Sequence, residues 1–225
     1  IFPRRGKLDA NFVQTPQIQT LLDRVAGVES TGGDLRMKGI IRDLFEGLTT
    51  FDAAGAAIPG AALSWTVSAD GLVYTFRLRP NLRWSDGTPL RADDFVWGWQ
   101  HSLDARRPAA RATRLYALRN AERIHRGESP VATLGARALD ARTLQITLQY
   151  PVPWLPTLLA GEEGFPLPRH VIERAGTDWA KPGTHVGNGA YRLLSRRARG
   201  SVLLERNPFH HDAARVAIER IEYVP

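Results

Sequence analysis

Six histidines, at positions 101, 125, 170, 185, 210 and 211, are the residues best suited to hold a metal or move a proton. None stands at a spacing that gathers metal ligands, and the adjacent pair His210–His211 reads as a surface pair rather than a ligand pair. Asp93–Asp94 and Glu162–Glu163 place carboxylates side by side, but sequence neighbours on a helix point apart, so neither makes an acid/base couple. Ser85–Asp86 has no evident histidine partner. Gly187–Asn188–Gly189 is followed by no lysine-serine or lysine-threonine and leads into a strand-like segment, so it reads as a turn and not a phosphate loop. Gly32–Gly33, before a helix, could present backbone N–H groups to an anion or a carboxylate, with a simple loop as the plainer reading. No catalytic constellation emerges, and neither a metal nor a cofactor is expected.

Aromatic residues concentrate in "NLRWSDGTPLRADDFVWGWQHSLD", residues 81–104, with Trp84, Phe95, Trp97 and Trp99. Such a cluster is either a ligand-stacking surface or a packed core. Trp97 and Trp99 lie about 200° apart around a helix, so they cannot share one flat surface. Core is the favoured reading.

The elements that carry these residues follow from periodicity. Leu35, Ile40, Ile41, Leu44, Phe45 and Leu48 recur at helical spacing, with Asp34 as N-cap and Gly47 as a C-terminal stop. Residues 52–55 read as a turn and Ile58-Pro59-Gly60 as an extended connection. "LVYTFRLRP" (72–80) alternates as a half-buried strand after the hairpin turn "SADG", and "SDGTP" (85–89) is a second turn. "RADDFVWGWQHSLD" is then a helix with Asp93 near its N-terminus. A second hairpin spans "LGARALDARTLQITLQY", closed by Pro151 and Pro153, before the short apolar helix "WLPTLLA". A helix over 169–175 and strands over 190–194, 202–206 and the last eleven residues complete the chain. This mixed order predicts an α/β (mixed α+β) protein without regular strand–helix alternation.

Composition bounds the function. The net charge of +7 makes nucleic acid a partner to weigh, yet the arginines are scattered. Arg107, Arg111 and Arg114 could share a helix face among alanines, which reads as a solvated basic face, so no nucleic-acid partner is expected. The absence of cysteine excludes disulfides, thiolate nucleophiles and cysteine-held clusters. No apolar run approaches the ~20 residues of a membrane helix, and Pro3, Arg4 and Arg5 argue against a signal peptide at the N-terminus.

Taken in order, "RDLFEGLTTFDAAG", "RWSDGTPLRADDFVWGWQ", "LGARALDARTLQITLQYPVPW", "FPLPRHVIERAG", "GNGAYRLL" and "LLERNP" resemble the solute-binding proteins of oligopeptide and dipeptide ABC transporters. The resemblance implies a periplasmic, non-enzymatic protein that encloses extended oligopeptides between lobes and delivers them to a membrane permease. It implies a periplasmic-binding-protein-like lobe I from residues 1–48 and 165–225, and a small lobe II from 49–164. A third lobe would follow where this sequence stops, so little or no ligand binding is expected of these residues alone. The alternative is a shortened relative acting as an interaction or dimerisation module, self-associating through the surface that lobe would cover. The implied peptide contacts are Gly32, Gly33, Asp34 and Leu35, mainly through backbone, with Arg111 and Tyr116 as lobe II contacts. The sequence departs from the family where residues 1–34 lack the usual Leu-Asp-Pro segment, and where Arg111 falls near a position often held by an aromatic.

Overall fold

A computed structural model of the chain describes residues 35–106, 112–197 and 201–224. The predicted Asp34 cap therefore lies outside the described residues. Helix α1 (Leu35–Leu44) buries Ile40, Ile41 and Leu44, the stripe its spacing predicts. It ends three residues before Gly47. That glycine is not a helix stop; a Cβ there would lie 2.2 Å from the Leu159 carbonyl oxygen, so it permits a close backbone crossing.

Strands β1 (Thr49–Phe51) and β2 (Ala57–Pro59) form a small antiparallel hairpin. Asp52 closes it by accepting the N–H groups of Ala54 and Ala56, with Gly55 at φ +84°. The stretch expected as an extended connection is thus partly a strand.

A four-stranded antiparallel sheet follows, in spatial order β3-β4-β6-β5. It comprises β3 (Ala62–Val67), β4 (Val73–Leu78), β5 (Ala136–Asp140) and β6 (Thr143–Thr147). Strand β4 buries Tyr74, Phe76 and Leu78 on one face, and Phe76 pairs with Leu144 of β6 in the register the two alternations require. Strand β3 was not evident in the sequence. It is an edge strand whose Leu63 and Val67 are about half exposed, so no buried face marks it.

Helix α2 (Ala92–Leu103) packs against β5 and β6. Asp93 lies in its first turn, as predicted, and Asp94 beside it accepts the Arg91 N–H at 2.8 Å. Trp84, Phe95 and Trp99 are buried, while Trp97 remains partly exposed beneath the Arg169 guanidinium. The aromatic cluster is core, and the indole N–H of Trp99 donates to the Glu163 carbonyl at 2.7 Å.

Helices α3 (Ala121–His125), α4 (Leu155–Leu159) and α5 (Arg169–Ala175) are short. A three-stranded sheet, in order β7 (Tyr191–Arg196), β8 (Val202–Arg206), β9 (Arg220–Tyr223), packs against α1. One hydrophobic core runs through the whole array. Among the described residues, no helix is long and apolar enough to cross a membrane.

Candidate functional site

The predicted peptide contacts fall unevenly on the described structure. Gly32, Gly33, Asp34 and Arg111 lie outside the described residues. Leu35 opens α1. Tyr116 belongs to a 3-10 helix (Ala112–Ala117) and is partly buried. Its hydroxyl lies 2.8 Å from His125 Nδ1, and its ring meets the same imidazole edge-on. Both contacts run to α3 and hold Tyr116 in place.

The C-terminal end of α1 is seated by a backbone crossing. The backbone of Gly187–Asn188–Gly189 lies directly against its C-terminal end. A Cβ at Gly187 would sit 2.1 Å from the Leu44 carbonyl oxygen, and one at Gly189 would sit 2.4 Å from that of Asp43. These glycines serve close approach, which corrects the reading of the segment as turn chemistry. The N–H of Gly189 donates to the Leu44 carbonyl, a free acceptor at the helix end. Asn188 reads both backbone groups of Glu46: its Oδ1 accepts the Glu46 N–H at 3.1 Å and its Nδ2 donates to the Glu46 carbonyl at 2.8 Å.

The same segment ties in two more elements. Ser85 donates its N–H to the Gly187 carbonyl and accepts the Gly187 N–H on Oγ. Buried Asn207 donates from Nδ2 to the Gly189 carbonyl. Helix α1, the 85–89 turn and the strand β8 end thus share one polar hub. On the helix itself, Asp43 accepts the Tyr223 hydroxyl at 2.7 Å. Burial pushes the Asp43 carboxyl up, against the pull of that bond, and burial beside Asp43 pushes the Tyr223 phenol up strongly.

Four further pairings correct the sequence reading. Asp86 does have a histidine partner: its Oδ2 lies 2.8 Å from His170 Nε2. Burial raises the Asp86 carboxyl, but hydrogen bonds from His170 and Thr88 outweigh it and leave it below its usual value. Ser85 Oγ is taken up by Gly187, so the trio is a latch and not a nucleophile with its base. Arg114 is not on a solvated basic face; it pairs at 3.0 Å with Glu163, whose side chain is 1% exposed. Burial raises the Glu163 carboxyl more than Arg114 lowers it.

His210 and His211 are not a surface pair either. Their side chains are 8% and 15% exposed, and both Nε2 atoms face the Glu46 carboxylate. Burial pushes that carboxyl up, yet the hydrogen bonds and charges of the two imidazoles hold it below its usual value. His185 is the last outlier. It sits between Phe45 and Trp179 with neither ring nitrogen hydrogen-bonded, and burial lowers its pKa to about 4.

None of these pairings was visible in the sequence, because the partners are far apart along the chain: 142 residues for Glu46 and Asn188, 165 for Glu46 and His211. The motif "GNGAY" was the one available signal, since a glycine–asparagine–glycine run between two apolar stretches marks an irregular backbone.

Comparison with known proteins fits this frame. The family model described as bacterial extracellular solute-binding proteins, family 5 Middle, matches residues 56–225. The chain is 41% identical over 187 residues to the probable deoxycholate-binding periplasmic protein YgiS of Escherichia coli, covering 82% of this chain and 35% of that protein. It is 40% identical over 188 residues to the periplasmic oligopeptide-binding protein OppA of the same organism, covering 83% and 34%. Among solved structures, the E. coli murein tripeptide binding protein MppA superposes with a TM-score of 0.82 at 36% identity, over 91% of this chain and 39% of that one. OppA of Haemophilus influenzae in complex with the peptide RPPGFSPFR gives 0.82 at 33% identity, over 86% and 38%. The chain spans about a third of the length of the curated relatives it matches.

Proposed function

The chain belongs to the bacterial extracellular solute-binding proteins, family 5, and from that premise we propose that it is part of the periplasmic peptide-binding component of an ABC transporter. Members of this family bind solutes and do not transform them. The observation that carries the peptide reading is the superposition, over most of this chain, on a relative solved with a nonapeptide and on a murein tripeptide binder.

In this reading residues 1–48 and 165–225 belong to lobe I and 49–164 to lobe II. The backbone of Gly32, Gly33, Asp34 and Leu35 pairs with the main chain of an extended peptide. Main-chain pairing gives affinity that is indifferent to side chains, which suits a transporter of mixed peptides. The hub of Gly187, Asn188 and Asn207 supports this role by fixing the far end of α1, so the helix start has a rigid base. Arg111 and Tyr116 serve, in this reading, as lobe II contacts that meet ligand on closure. Closure favours the bound state because peptide contacts both lobes only when they meet, and the loaded form then docks on its permease.

Because the curated relatives are much longer, the 225 residues alone form only part of the enclosure. Native mass spectrometry with a pool of unrelated short peptides tests the reading. The expected result is a monomer that retains peptides only weakly and without sequence preference, or retains none. Tight, stoichiometric capture of one peptide would overturn the weak-binding expectation. Retention of deoxycholate in place of peptides would overturn the substrate class.

A further inference from the structure

Three side chains converge beside the hub. Glu46 follows α1, and His210–His211 follow β8. His211 Nε2 lies 2.8 Å from Glu46 Oε2, and His210 Nε2 lies 3.7 Å from Glu46 Oε1. One ligand atom from each residue lies within 4.8 Å of the other two.

This convergence is built by the backbone. Consecutive residues on a strand send their side chains to opposite faces. Here the chain turns after Asn207: the His210 N–H donates to the Asn207 carbonyl at 3.3 Å, and the Ala213 N–H donates to the His210 carbonyl at 3.0 Å. Both imidazoles therefore swing to one side, with ring centroids 4.3 Å apart. Across from them, Asn188 clamps both backbone groups of Glu46. The side-chain exposures of 15% for Glu46, 8% for His210 and 15% for His211 leave a narrow solvent path and little freedom.

We propose that Glu46, His210 and His211 form a site for a divalent transition-metal ion, zinc foremost, with its remaining coordination positions open to water. Two imidazole nitrogens and a carboxylate oxygen are the donor set that suits zinc, nickel or copper. Magnesium and calcium take oxygen ligands, so they are excluded. Ligand atoms about 2.0–2.2 Å from a tetrahedral zinc stand ~3.4 Å from one another. The two observed nitrogen–oxygen separations, 2.8 and 3.7 Å, bracket that spacing, so small side-chain rotations admit the ion.

The ion displaces the proton held between His211 Nε2 and Glu46 Oε2, which leaves to solvent, and has one further local cost. His210 Nδ1 accepts the Asp212 N–H at 3.3 Å. To ligate through Nε2, this ring carries its proton on Nδ1 and gives up that long contact. The loss is small beside a metal–nitrogen bond. Once bound, the ion ties the α1 exit to the β8 exit across the hub.

Calorimetric titration of the untagged chain with zinc chloride tests the proposal, with magnesium chloride as control. One zinc per chain is expected, with no response to magnesium. His211→Gln and His210→Gln should each weaken zinc by more than about a hundredfold, since even outer partners of metal ligands are worth about 10- to 100-fold. Far-UV circular dichroism reports whether each variant folds. Copper(II) electron paramagnetic resonance on the unaltered chain gives an answer that needs no variant: coupling to two imidazole nitrogens is expected. No binding at submillimolar zinc, unchanged affinity in a folded His211→Gln chain, or copper coupled to no pair of nitrogens would each overturn it. The three residues would then be a purely structural proton-sharing cluster.

Discussion

The four-stranded sheet with α2 and the hub around α1 are held together by opposite means. In the first, Phe76, Trp84, Phe95, Trp99, Leu144 and Ile146 pack on one another, and the Trp99 indole finds its partner in a nearby carbonyl. In the second, glycines allow backbones to touch, and Asn188, Asn207, Asp43, Tyr223, Glu46 and the two histidines join elements through directed polar bonds. Apolar packing tolerates small shifts, whereas a hydrogen-bonded joint has one geometry. In the function proposed above, the first is a lobe that moves as a body and the second is a fixed mount for the helix whose start meets the ligand.

The contrast can be broken by mutation, with the largest effect expected in the apolar half. Trp99→Ala removes a buried indole and should cost about 3–5 kcal/mol, read as a lowered urea midpoint. A loss under about 1 kcal/mol would mean the core collapses freely around it, contrary to the packing described.

The next effect is one of pH, and it comes from His185, packed between Phe45 and Trp179. The His185 pKa falls from 6.5 to about 4 on folding, because burial disfavours its charge. The unfolded chain therefore binds a proton between these values while the folded one does not. Stability from this residue is complete above pH 6.5 and declines as pH falls towards 4, by about 3 kcal/mol at 1.36 kcal/mol per pH unit. His185→Leu should flatten that window and raise stability, since no ring nitrogen has a partner to lose. An unchanged slope in urea melts between pH 7 and 4 would assign the dependence to other groups.

Asn188→Ala should cost about 1–3 kcal/mol by leaving both Glu46 backbone groups without their bonds. Hydrogen exchange should accelerate at the Glu46 amide and leave β4 and β6 protected. Equal acceleration in both places would mean that the two regions unfold as one unit. Smallest of all, Arg126→Ala removes an exposed ion pair with Glu122 and should change stability by less than about 1 kcal/mol.

The same contrast explains what could be read in the sequence. Alternation in 72–80 and 143–148, helical spacing in α1 and the turn residues of "SDGTP" gave elements whose burial is local and periodic. Strand β3 escaped because its Leu63 and Val67 face solvent. The hub escaped almost wholly. Glu46 meets His211 and Asn188, and Asp86 meets His170, across 84 to 165 residues that no periodicity spans. His210–His211 looked like surface chemistry because adjacency in sequence says nothing of a turn that gathers both rings. Of the predicted peptide contacts, Leu35 stands at the start of α1, and Tyr116 is bonded to His125.

The most direct test of the account is a backbone amide NMR titration of the 225-residue chain with millimolar unrelated tripeptides. The account predicts fast-exchange shifts centred on Gly32 to Leu35 and the first turn of α1, similar for every peptide, with smaller shifts at the lobe II contact Tyr116. Shifts centred instead on Tyr116 and α3 would contradict the claim that the start of α1 receives the ligand.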